Sequence, residues 1–261
     1  MKRLLLTLLF TAIGQTLILA KSYNVLVIQT DEHHFKTLGC YGGRIVETPN
    51  IDWIAKHGAI ATSFYATTPV CSPSRGALIS GRYPQNTPVT NNNISLGNHV
   101  VTFAEVLRRK GYKTGYAGKW HLDGSGKPQW APSRKFGFDD NRYMFNRGHW
   151  KKFEITSDGP RVAAIKRGKP YYGVENADKE SFSTDWLANR TIDFIKPTRP
   201  SRSAIWSVSP TLTGRTPSES HMTRCTRTSM YPSRFLSTNR ARKPRAGPPV
   251  TRRSPPIPFA Y

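Results

Sequence analysis

Apolar and polar positions follow two different patterns along this chain. Up to Lys196, short apolar runs alternate with amphipathic stretches; beyond it the periodicity stops. "NVLVIQT" (24–30) is an apolar run ending in a polar loop, "DEHH", and reads as a buried strand. "TPNIDWIAKHG" (48–58) carries a threonine cap, a proline in the first turn and a glycine stop, which together predict a helix. "AIATSFYAT" (59–67) reads as a second strand. "CSPSRGALISGRYP" (71–84) opens a further helix, with its anion-attracting amides at the start. "TFAEVLRRKGYKTGYAGKWHL" (102–122) gives a helix closed by Gly111, a strand and another polar loop. "STDWLANRTIDFIK" (183–196) is an amphipathic helix. Strands alternating with helices imply an α/β fold, a mostly parallel sheet with helices on both faces. Such sheets gather ligands at the carboxyl ends of their strands, so Asp31, Cys71 and Lys119 are expected on one rim.

Two stretches fall outside this pattern. The first, "MKRLLLTLLFTAIGQTLILA" (1–20), has two basic residues, an apolar run and a small residue at its end. It reads as a cleaved signal peptide, and the polar "KSYN" after it argues against a stable membrane span. A secreted or periplasmic location follows. The three cysteines, Cys40, Cys71 and Cys225, suggest neither a disulfide framework nor a zinc site.

The second stretch is 197–261. It holds eleven arginines, one lysine and a single acidic residue, Glu219, and so carries +11 of the net charge of +23. A basic, proline-rich tail of this kind is either disordered or a nucleic-acid-binding arm. A third account is a change of reading frame. When each codon is started at the third base of the written one, residues 210–219 permit Asp-Pro-His-Gly-Pro-Asp-Thr-Val-Arg. Residues 220–223 then permit Glu-Pro-Tyr-Asp, and residues 206–210 permit Val-Ser-Ile-Pro. A long, charge-balanced run is hard to obtain from a true basic tail. One base lost or two gained near codons 196–199 accounts for it, and no nucleic-acid partner is then expected.

With these residues in view, the part at 22–196 resembles the formylglycine-dependent sulfatases, a branch of the alkaline-phosphatase-like superfamily. Cys71, Pro73, Ser74 and Arg75 carry the resemblance, continued by Leu78, Ser80 and Gly81. "NVLVIQTDEHHFKTLGCYG", "TPNIDWIAKHGAIATSFYATTPVCSPSR", "TFAEVLRRKGYKTGYAGKWHL" and "GFDD" follow in family order, and the hidden frame resembles the family's next segment. The resemblance implies that a formylglycine-generating enzyme oxidises Cys71 to an aldehyde, whose hydrate attacks the sulfur of a sulfate ester. The alcohol leaves, and the second hydroxyl expels sulfate and restores the aldehyde, dividing one displacement into two. It implies that Arg75 holds the nucleophile and that Lys119 and His121 meet the sulfate. It also implies a calcium ion bound by Asp31, Glu32 and the modified Cys71. The family commonly has two aspartates where Asp31 and Glu32 stand, so Glu32 is a departure.

The domains expected are therefore a signal peptide (1–20), the N-terminal part of a sulfatase catalytic domain (21–196) and the basic tail (197–261). The substrate implied is a sulfate-ester small molecule or a sulfated glycan. The alternatives are a phosphonate monoester or phosphodiester hydrolase with the same motif, and a nucleic-acid-binding protein acting through its tail. As written, the chain lacks the family's later site residues and is expected to be truncated, unstable and inactive. Resequencing codons 194–210 from genomic DNA is expected to show the shifted base; an unaltered written frame would contradict the frame change.

Overall fold

The computed structural model describes residues 23–31, 33–178, 180–198 and 201–209, all within one compact unit, Met1–Thr228. The proposed signal peptide, Glu32 and everything from Pro210 onward lie outside the described residues. At the centre is a four-stranded sheet in the order β1 (Val25–Thr30), β8 (Ser203–Ser209), β2 (Lys113–Lys119) and β3 (Asp140–Phe145). All three pairings are parallel, as the alternation of strands and helices requires.

Side chains alternate across this sheet and separate two cores. Tyr116, Met144, Trp206 and Val208 point to one face. There they pack with Ile79 of α2 (Cys71–Ser80) and Ala104 of α3 (Phe103–Arg109). Ala117 and Phe145, one residue on from Tyr116 and Met144, point to the other face. That core includes Trp186 and Leu187 of α4 (Ser183–Thr198), with Phe153 and Val162 from the hairpin of β4 (Phe153–Thr156) and β5 (Gly159–Val162). The helices on both faces are those the sequence calls for. α1 (Pro49–His57) also forms where expected, with Pro49 in its first turn.

Gly118 has φ +120°, and a Cβ there would lie 2.0 Å from the Val208 carbonyl oxygen. Only glycine lets β2 approach β8 so closely just before the site residue Lys119.

Two expectations are corrected. "AIATSFYAT" forms no strand: among the described residues nothing pairs with it, and Phe64 and Tyr65 are exposed. Residues with strand propensity need a neighbouring edge to form a strand. The boundary at Lys196 is also too early. α4 runs on to Thr198, and β8 supplies the strand between β1 and β2. Ala204, Ile205, Trp206 and Val208 of that strand are buried. β8 was hidden by its short length and by the prolines and arginines around it.

Trp206 is the test of this strand. Its ring stacks on Phe103 at 4.9 Å, and its Nε1 donates to Gln29 Oε1 at 3.2 Å. Trp206→Ala is expected to destabilise the chain by about 3–5 kcal/mol in urea unfolding. A strand that is really part of a disordered tail would give no change.

Candidate active site

The rim at the carboxyl ends of β1 and β2 is built from residues far apart in sequence. Asp31 immediately follows β1, and Lys119 ends β2. Lys119 Nζ donates to Asp31 Oδ2 at 2.9 Å, across 88 sequence positions. Arg75 reaches the same carboxylate from α2: Nη2 donates to Asp31 Oδ1 at 2.6 Å, and Nη1 to the Lys119 carbonyl at 2.7 Å. The Tyr116 hydroxyl donates to that carbonyl as well, at 2.7 Å. Asp31, Arg75 and Lys119 are 5 %, 5 % and 1 % exposed, so the triad is almost dry.

Cys71 is the first residue of α2, half-buried and without a disulfide. Arg75 lies four residues on, on the same side of the helix. The amides at this helix start are less available than expected. Ser72 N donates to Asn92 Oδ1 at 2.9 Å, Pro73 has no N–H, and Ser74 N donates to the Val70 carbonyl.

His121 departs from the extended geometry expected for "KWH". The strand ends at Lys119, and His121 has φ 60°, so simple alternation does not orient it. Its backbone is held from two sides. The Ser72 hydroxyl donates to its carbonyl at 2.7 Å, and its N–H donates to the Asn146 carbonyl at 2.7 Å. Nε2 lies 3.3 Å from Asn93 Oδ1, while Nδ1 is buried and has no hydrogen-bond partner. With the proton on Nε2, shared with Asn93, Nδ1 presents a bare lone pair.

Several contributors were not assigned from the sequence. Asn146 ties down the loop after His121. Its Nδ2 donates to the carbonyls of Asp123, Gly124 and Gly126, and its Oδ1 accepts from Asp123 N. His149 places Nδ1 3.8 Å from Asp31 Oδ2. Both belong to "NRGHW", a segment whose polar residues mark it without revealing a role. Ser72, Asn92 and Asn93 carried no signal beyond polarity. His33, in the loop after β1, bonds Thr30 and Thr37.

The electrostatics leave the centre cationic. Burial pushes the Asp31 carboxyl up, but Arg75 and Lys119 outweigh it and hold its pKa below the usual carboxylate range. His121 is pushed down to about 3, first by burial and then by Lys119 and Arg75. His149 falls to about 4, by burial and then by Lys119. Near neutral pH both imidazoles are uncharged, and two cations face one carboxylate.

The described residues do not by themselves make up a calcium site. Calcium takes roughly six to eight oxygen ligands. Asp31 is the one carboxylate of the triad, and both its oxygens are taken by cations. Glu32 lies outside the described residues, and Cys71 adds a single position at the start of α2. Among the described residues no group of three or more His, Cys, Asp or Glu side chains is placed to hold a metal ion.

The sulfatase family model matches residues 23–210, and the chain belongs to the sulfatase family. It is 34% identical to the ulvan-active sulfatase of Formosa agariphila over 156 residues, 59% of this chain and 27% of that protein. It is 33% identical to the N-acetylglucosamine-6-O-sulfatase of Bacteroides thetaiotaomicron over 179 residues, 67% of this chain and 28% of that one. The crystal structure of a putative sulfatase from Bacteroides fragilis superposes with a TM-score of 0.58 at 24% identity, over 82% of this chain and 46% of that one, and shows the shared fold. The chain spans little more than a quarter of the length of these two curated relatives.

Asp31→Asn strands two buried cations and is expected to cost roughly 3–5 kcal/mol in urea unfolding at neutral pH. Acid should act in the same direction. The unfolded chain protonates His121 near pH 6.5, while the folded chain resists down to about 3, so stability falls as pH drops through that window. His121→Gln is expected to flatten this slope, read from urea midpoints across the window.

Proposed function

We propose that this chain carries the nucleophile side of a sulfate-ester hydrolase site. The observation that supports the reading best is the buried excess of positive charge. Arg75 and Lys119 share one carboxylate beside the helix that begins at Cys71. Excess buried charge is costly unless an anion completes it, and a sulfate group supplies that anion.

Each residue has a physical task. Lys119 Nζ neutralises a sulfate oxygen, and Arg75 fixes the side of α2 that bears the nucleophile. His121, neutral and with a bare Nδ1, accepts a hydrogen bond from a hydroxyl brought next to it and so orients it. Asn146 and Ser72 hold the His121 backbone in its left-handed turn. Cys71, converted to formylglycine by its modifying enzyme, supplies the oxygen nucleophile. A divalent cation such as calcium needs donors beyond the described residues, and no step is assigned to it. The name of the N-acetylglucosamine-6-O-sulfatase relative supports a sulfated sugar as substrate. Residues 1–20 support secretion or a periplasmic location. Among the described residues no helix is long and apolar enough to cross a membrane.

Paired assays with para-nitrophenyl sulfate and para-nitrophenyl phosphate test the reading. The 261-residue chain, with Cys71 converted, is expected to hydrolyse neither. The same gene with its frame restored near codons 196–199 is expected to hydrolyse the sulfate and to lose activity in Cys71→Ala. Preference for the phosphate would favour the phosphodiesterase alternative. Turnover by the written chain would show that its site is complete as it stands.

A further inference from the structure

An aromatic wall with an attached cation stands beside the charged centre, and the functions assigned above make no use of it. Tyr172 lies just past the short hairpin of β6 (Ile165–Lys166) and β7 (Lys169–Pro170), with its side chain 43% exposed. Its ring meets His149 edge-on at 5.9 Å and tilts over the buried Trp150 at 4.8 Å. His149 in turn faces Asp31, so a single imidazole separates Tyr172 from the triad. Lys127 Nζ sits 4.8 Å from the centre of the Tyr172 ring and 5.4 Å from that of Trp150. Lys127 is exposed, and among the described residues it has no carboxylate partner. Its charge is also among those that depress His149.

A half-exposed ring backed by a buried one is a rigid, flat apolar platform. An ammonium held over it, with no acid to neutralise it, is a positive charge fixed against the platform. A sugar ring presents an apolar C–H face of matching size, and a second sulfate or carboxylate on that sugar would answer Lys127. A choline ester fits poorly, because its cation would meet Lys127 and Lys119.

We propose that Tyr172 and Lys127 form a specificity subsite for a sulfated sugar that bears a second anionic group. The sugar packs against the exposed part of Tyr172 beside Lys127, its second anion pairs with Lys127, and the sulfate to be cleaved occupies the Arg75–Lys119–His121 centre. The proposal rests on the sulfate-ester reading above and deepens it by naming the substrate class.

Calorimetric titration of the full chain with three probes tests it: inorganic sulfate, N-acetylglucosamine-6-O-sulfate, and a glucosamine carrying both N- and O-sulfate. Tyr172→Ala is expected to weaken both sugars by about tenfold and to leave inorganic sulfate within about twofold, while Tyr172→Phe retains sugar binding. Lys127→Met is expected to weaken the disulfated sugar by about tenfold and the monosulfated one by less than about threefold. Unchanged thermal midpoints in these surface variants separate binding from folding. Sugar affinities that ignore Tyr172 and Lys127, with inorganic sulfate still bound, would overturn the subsite and leave the centre standing. Sugars that bind through Tyr172 while Lys119→Met changes no affinity would overturn the centre and keep the subsite. A wild-type chain that shows a cooperative thermal transition yet binds none of the probes would overturn both.

Discussion

The Asp31 carboxylate holds three chain segments to one point. One oxygen takes the Arg75 guanidinium from α2 and the other takes the Lys119 ammonium from the end of β2, while Asp31 itself ends the run from β1. Arg75 also donates to the Lys119 carbonyl, which closes the link between helix and strand. At about 4 Å and an effective dielectric of about 20, each ion contact is worth about 4 kcal/mol before desolvation. Removing the carboxylate would therefore leave two buried cations repelling each other, and the start of α2 would lose its reference to the sheet.

The same arrangement is chemically suggestive because it does not balance. A structural ion pair would match charges; here two cations share one anion, and the neighbouring imidazoles are held neutral by burial. The charge left over is what an incoming sulfate would complete. The neutral His121 keeps a lone pair available to accept a hydrogen bond, which a charged imidazolium could not. The carboxylate is already occupied by protein cations, so it offers little to a metal ion until further oxygen donors join it.

Much of this was legible in the sequence, for physical reasons that can be named. β1, β2 and α1 to α4 announced themselves through apolar periodicity, caps and the glycine stop at Gly111. The motif around Cys71 carried Arg75, and "GKWHL" carried Lys119 and His121. β8 was missed because its buried residues stand in a proline- and arginine-rich setting, where local composition outweighs a seven-residue strand. "AIATSFYAT" misled for the opposite reason: its propensity is real, but a strand exists only with a partner. His149 and Asn146 could be flagged as polar but not assigned. Their roles arise from long-range placement, one facing Asp31 and the other tying the loop that sets the left-handed backbone of His121.

The most direct test of the central claim is the chemical state of Cys71. The chain would be produced together with a formylglycine-generating enzyme, and the peptide carrying Cys71 analysed by mass spectrometry with a hydrazide trap for aldehydes. The account predicts the mass of an aldehyde in place of the thiol at Cys71, captured by the hydrazide, and no such change at Cys40. An intact thiol at Cys71, under conditions that convert a control sulfatase, would contradict it and leave the cationic centre without its nucleophile.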